Sequence, residues 1–251
     1  MSVGDGNDYL LAEAAALVKA AAASRIDMRL LGGLAVRGRS RTSRLEPWAR
    51  ECSDCDFFAR SKSAAVEVLF STRGWEADKE FNLYNGDSRL SFRSPRNGKK
   101  ADVFLNSFRM CHEIPLTRRI AVDELTLPLS ELLLTKLQVV ETNDKDFRDI
   151  ACILIDYELR ENDGGTINKK AFAAACAADW GLWRTISGSL ERFRAWIPSS
   201  GASQEETMLA LTRSAALTEA LQNAPKSLAW KARALIGERA SWYELPEESE
   251  L

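Results

Sequence analysis

Ser53-Asp54-Cys55-Asp56-Phe57-Phe58 is the stretch on which the reading of this chain turns. Successive side chains of a strand point to opposite faces. Asp54 and Asp56 therefore emerge together, roughly 7 Å apart along the backbone, while Cys55 and Phe57 face the other way. Two carboxylates on one surface repel each other unless a counter-ion stands between them, and a hard divalent cation with oxygen ligands meets that need. Lys100-Ala101-Asp102-Val103-Phe104-Leu105 alternates in the same way, with Ala101, Val103 and Leu105 on one face and Asp102 on the other. If these two strands are neighbours, three acids converge. Two metal ions about 3.5 to 4 Å apart would then align an attacking hydroxyl with a departing pyrophosphate.

Upstream, the apolar run Met28 to Leu31 stops at Gly32-Gly33, a strand ended by a turn. Glycines without β-carbons let backbone N–H groups approach phosphate oxygens, and a helix N-terminus at Leu34-Ala35 adds positive potential. Each element also has a plainer reading: Gly-Gly as a simple turn, Asp-x-Asp as an exposed strand edge or turn. Their order is what carries weight, namely strand, Gly-Gly, helix, strand with Asp-x-Asp, and a later strand with one Asp.

With 251 residues, 45% of them hydrophobic, the chain can bury a substantial core as one large domain or two small ones. A formal charge of -2 argues against a general nucleic-acid binder. The first eight residues are acidic rather than basic, which predicts no export signal, a cytoplasmic protein and no membrane association. The five cysteines are then expected as reduced thiols.

Residues 8–23 read as a helix. The strand at residues 28–31 follows, then a short helix from Ala35. An exposed basic loop is expected from Arg37 to Arg50, and a second strand at residues 53–59. A helix at residues 64–71 precedes extended segments at residues 76–84, 89–93 and 100–105, the first two joined by a hairpin at Asn85-Gly86. After Pro128 the pattern is helical: residues 130–140, with Ser130 as N-cap, then 145–159, 168–178, 182–196, 204–222 and 227–239, with Asn162-Asp163-Gly164-Gly165 between two of them. This predicts an α+β protein, with an α/β domain at residues 1–125 and a helical domain at residues 126–251.

Leu31-Gly32-Gly33-Leu34-Ala35-Val36, then Arg50 four residues before Asp54-Cys55-Asp56-Phe57-Phe58, resembles the signature of nucleotidyltransferase-superfamily proteins related to the AbiEii toxin group. Residues 127–137 (Leu-Pro-Leu-Ser-Glu-Leu-Leu-Leu-Thr-Lys-Leu) and 145–150 (Lys-Asp-Phe-Arg-Asp-Ile) are similar to that group's helical segment, so the resemblance spans about residues 27 to 155. It implies a nucleotidyltransferase-type mixed sheet with flanking helices. It also implies that Gly32 and Gly33 hold the triphosphate, that Asp54 and Asp56 bind magnesium (manganese in its place), and that Asp102 is the third carboxylate. Lys136 would touch phosphate, and Asp149 matches a further polar position. The interval from Gly33 to Asp54 is longer than in the toxin group, and this Arg-rich insertion would reshape the acceptor side.

The resemblance implies transfer of a nucleoside monophosphate from an NTP such as ATP to a hydroxyl or phosphate acceptor, with release of pyrophosphate. The acceptor would be a small molecule, tRNA or a protein, and an antitoxin would be a partner in the toxin branch. A catalytically silent module that binds nucleotide or a partner protein is the alternative, and a magnesium-dependent phosphohydrolase is a third reading. Other residues carry competing readings. Arg37 to Arg50 either clamp phosphates or are solvated, with Arg50 nearest the acids. Lys136 either meets phosphate or lies over apolar surface. Asp144 and Asp146 are expected to offset a helix dipole. Cys52, Cys55, Cys111 and His112 form a rival zinc set, disfavoured because a strand turns Cys52 and Cys55 to opposite faces. Trp180, Trp183 and Trp196 read as helix packing.

Overall fold

The computed structural model describes residues 3–245, and they form an α+β fold: one mixed five-stranded sheet with flanking helices, followed by a helical region. The described chain divides into two compact units. Residues up to 44, 49–108 and 115–128 make the first; residues 45–48, 109–114 and those from 129 onward make the second. No helix among the described residues is long and apolar enough to cross a membrane.

In the first unit α1 (Val3–Ala23) leads into β1 (Asp27–Leu31), α2 (Gly32–Arg39), β2 (Asp54–Arg60), α3 (Ser63–Thr72), β3 (Glu76–Ala77), α4 (Lys79–Asn85), β4 (Arg89–Arg93) and β5 (Lys100–Leu105). The strand order is β1-β2-β5-β4-β3, with β2 and β5 parallel and the other pairs antiparallel. One face of the sheet is apolar. Met28, Leu30, Cys55, Phe57, Ala59, Leu90, Phe92, Ala101, Val103 and Leu105 are buried, and Phe70 of α3 stacks on Phe92 at 4.2 Å and meets Phe57 edge-on at 5.9 Å. Burial of that alternating set fixes the register, because a one-residue slip would carry every apolar side chain to the opposite face.

The structure corrects the extended segment expected over residues 76–84. Only Glu76–Ala77 is strand, and Asp78 then caps α4 by accepting from the Phe81 N–H at 3.0 Å. Gly86 ends that helix at φ -63°, so the Asn85-Gly86 pair makes no positive-φ hairpin. The cap is decisive, because an N-terminal Asp satisfies an otherwise orphaned N–H and starts a helix where alternation alone suggests a strand.

The basic stretch is not simply an exposed loop. Arg37 and Arg39 lie in α2; Arg37 is buried and pairs with Asp8 at 3.2 Å, and Arg39 pairs with Asp123. Arg44 also reaches Asp8, at 2.8 Å. These arginines tie α1, α2 and the segment before residue 128 together, which is why so much charge is held close to the core.

Two short strands, β6 (Phe108–Arg109) and β7 (Glu113–Ile114), pair with each other before the helical region begins. In the second unit α5 (Leu129–Leu137), α6 (Asp144–Asp156), α7 (Lys169–Ala178), α8 (Trp180–Trp196), α9 (Gln204–Asn223) and α10 (Leu228–Ile236) follow. A parallel pair of two-residue strands, β8 (Leu159–Arg160) and β9 (Ile167–Asn168), brackets the Asn162–Gly165 turn, an element the helical pattern does not announce. Ser130 is inside α5, fully buried, with its hydroxyl on Glu131 at 2.8 Å; it is not the N-cap. Trp48 joins this unit by donating to Glu206 at 2.9 Å and packing 6.4 Å from Trp196.

Candidate active site

The second face of the sheet carries the acids. Asp54 and Asp56 alternate with buried Cys55 and Phe57 along β2, and burial pushes the Cys55 thiol well above the usual range, so it stays a neutral packing group. Asp56 and Asp102 are register partners on parallel β2 and β5, and Asp54 pairs with Lys100 in the same way. Register partners on adjacent strands share a face about 4.8 Å apart. All three acids therefore stand on one side of the sheet, and they differ in exposure: Asp54 is exposed, Asp56 half-buried and Asp102 buried.

The glycines lie directly against this group. Leu31 is the register partner of Asp56, so the chain leaves β1 beside that carboxylate. Gly32 has φ +73°, and a β-carbon there would sit 2.1 Å from Asp56 Oδ2. A β-carbon on Gly33 would sit 1.9 Å from Arg50 Nη2. The carboxylate of Asp56 and the guanidinium of Arg50 thus rest on two consecutive residues at the start of α2, and at the left-handed Gly32 only hydrogen fits.

The segment entering β2 is clamped from outside. Asn7 of α1, almost fully buried, donates to the Arg50 carbonyl at 2.7 Å and accepts from the Cys52 N–H at 2.9 Å. Lys99 reaches Glu51 at 3.2 Å and the Cys52 carbonyl at 3.4 Å, and Ser53 donates to Asp54 at 2.6 Å. Asn7 gives no sign of this role in the sequence, since its partners lie more than forty residues away.

Asp102 also has a partner that no motif in the sequence announces. Arg89 Nη2 donates to Asp102 Oδ2 at 2.6 Å, and Lys100 Nζ is 3.7 Å from the same oxygen. Oδ1 is buried without a hydrogen-bond partner. Among the described residues, no three His, Cys, Asp or Glu side chains stand close enough together to hold a metal ion as they are placed. The donor chemistry nevertheless suits magnesium: carboxylates on paired strands, an orphaned buried carboxylate oxygen, and a glycine floor.

No protein-family model matches the chain, and no curated protein is significantly similar to it. The fold is similar to the crystal structure of an antigenic nucleotidyltransferase-like protein from Paracoccidioides brasiliensis, at 14% identity and a TM-score of 0.45, over 88% of this chain and 96% of that one. A likeness this distant carries no functional argument.

The remaining sequence candidates lie in the second unit. Lys136 sits 2.8 Å from Asp149 and 3.2 Å from Asp146, all three side chains being largely buried. Asp144 pairs with Arg148 at 2.7 Å and accepts from Trp196 at 3.0 Å, in the first turn of α6. Asn143 caps that turn through the Asp146 N–H at 3.1 Å. His112 Nε2 lies 2.8 Å from the Thr185 hydroxyl, which accepts from Trp242 at 3.2 Å. Burial lowers the His112 pKa against the opposing pull of Asp179 and Glu244, so its neutral state is favoured.

Proposed function

We propose that the first unit is a magnesium-dependent nucleotidyltransferase that moves a nucleoside monophosphate from an NTP to a hydroxyl or phosphate acceptor, releasing pyrophosphate. The observation that carries this reading is the placement of Asp56: it is the register partner of Asp102 and is packed over Gly32 at the start of α2. Carboxylates and a glycine corner in direct contact suit a cation and the phosphates it neutralises.

In this reading Asp54 and Asp56 hold the magnesium, with Asp102 as the third carboxylate. The ion, when bound, supplies charge neutralisation for the triphosphate and the departing pyrophosphate. Gly32 and Gly33 offer backbone N–H groups to phosphate oxygens. Arg50, lying on Gly33, supplies a guanidinium whose planar fork matches a phosphate. The acceptor oxygen forms a bond to the α-phosphorus as the bond from that phosphorus to the bridging oxygen of the β-phosphate breaks; that oxygen leaves with pyrophosphate, and the proton of a hydroxyl acceptor passes to a carboxylate of the site or to water. Lys136 and Asp149 belong to an ion-paired cluster of their own and are not assigned a step.

Incubation with each α-labelled NTP, magnesium and a panel of acceptors tests the reading. Pyrophosphate together with labelled acceptor supports it, and Asp54→Ala with Asp56→Ala should abolish both. Bound but intact NTP would favour the silent binding module instead, and inorganic phosphate would favour a phosphohydrolase.

A further inference from the structure

Asp102 stands between two strands that offer it opposite partners. On β2 its register partner is Asp56, the side from which a shared cation would draw it. On β4 its register partner is Ser91, and Arg89, two residues away on the same face, reaches across to take its Oδ2 at 2.6 Å. The guanidinium is not a loose surface charge. Its carbon lies 4.8 Å from the centre of the Phe104 ring and 5.7 Å from that of Phe81, and its Nε is buried without a hydrogen-bond partner. Lys100 adds a second positive charge 3.7 Å from the same carboxylate oxygen.

We propose that Arg89 is a latch on Asp102: it holds the carboxylate toward β4 and neutralises it, and a divalent cation engages all three acids only when Arg89 lets go. This rests on the metal-site reading above and adds a positioning residue to it. Three observations converge. The three acids share a face, yet among the described residues no three acidic side chains are placed to hold an ion together, as expected if one of them is turned to another partner. The pairing is incomplete on both sides, since Asp102 Oδ1 and Arg89 Nε are both buried and unpartnered; a pair so poorly satisfied is poised to exchange partners. Two cations within 4 Å of Asp102 oppose a third positive charge at the same place. A guanidinium freed from Asp102 stays on the acid face, where a nucleotide's phosphates are the natural anion to receive it.

The test is Mn2+ binding, followed as loss of the free-ion electron paramagnetic resonance signal, with no nucleotide and no turnover. Arg89→Gln should bind Mn2+ about tenfold more tightly than the unaltered protein, because one opposing charge is gone and Asp102 is released. Adding Asp102→Asn to Arg89→Gln should remove that gain, which general loosening of the fold would not do. Phe104→Leu, which takes away the ring beneath the guanidinium without changing charge, should tighten binding in the same direction by a smaller factor; it serves if Arg89→Gln does not fold. Suppose Mn2+ binding is lost with Asp54→Asn and Asp56→Asn but is unchanged or weaker in Arg89→Gln. The latch is then overturned and the metal site stands. A gain that survives Asp102→Asn also overturns the latch alone. No Mn2+ binding that depends on Asp54 and Asp56 in any variant overturns both.

Discussion

Asp56 and Gly32 are packed so closely that any side chain at position 32 would occupy the space of the Asp56 carboxylate, its β-carbon only 2.1 Å from Oδ2. The same glycine has φ +73°, a conformation that costs an L-residue about 1–2 kcal/mol before any clash is counted. Two independent constraints therefore select glycine at the point where β1 hands over to α2.

Gly32→Ala should accordingly destabilise the protein by about 2 kcal/mol or more in urea unfolding and displace Asp56. Gly33→Ala is the informative contrast. Its backbone is not left-handed, and its clash is with the far end of the flexible Arg50 side chain, which can swing away. Stability should change by less than about 1 kcal/mol, while NTP affinity falls because Arg50 has moved.

Asn7→Ala removes the clamp on the backbone before β2 and leaves the Cys52 N–H and the Arg50 carbonyl without their partner. The expected cost is about 2–3 kcal/mol in unfolding free energy, since buried backbone groups lose their hydrogen bonds. Asn7→Asp keeps the acceptor for Cys52 but not the donor for Arg50, and should fall between the two.

Lys136→Met strips the cation from Asp146 and Asp149 in the second unit. Breaking a buried pair by removing one partner costs about 3–5 kcal/mol, and the additional change Asp149→Asn should recover part of that loss. A double-mutant cycle by urea unfolding measures the coupling.

Stability should also depend on pH through His112. Its folded-state pKa is lowered by burial, with Asp179 and Glu244 opposing the shift, so between the folded and unfolded values the unfolded chain binds the extra proton. Stability is then fully present above the ordinary histidine pKa of about 6.5. It declines as pH falls through that value, until the folded-state pKa is passed. His112→Gln should flatten that part of the profile, measured as unfolding free energy between pH 8 and 5.

The two decisive strands are legible in the sequence because acids and apolar residues alternate over residues 53–58 and 100–105, and the structure shows β2 and β5 there, paired in register. The helices from residue 144 onward are legible through a different period, with apolar residues recurring at helical spacing. What alternation hides is local capping and distant pairing. Asp78 starts a helix inside what reads as a strand, and Arg37 is buried with Asp8 and the Ser43 carbonyl as partners. Arg89 finds Asp102 across a strand pair, and Asn7 finds residues 50 and 52 from α1. No spacing rule along one segment exposes such contacts, because the partners meet only after the sheet has formed.

Magnesium-dependent NTP binding, measured by equilibrium dialysis with the unaltered protein and with Asp54→Asn/Asp56→Asn, tests the proposed site most directly. Saturable binding that needs magnesium is expected, and it should be lost in the double variant while its thermal unfolding stays cooperative. Binding that persists undiminished in the variant, or that is indifferent to magnesium, would contradict it.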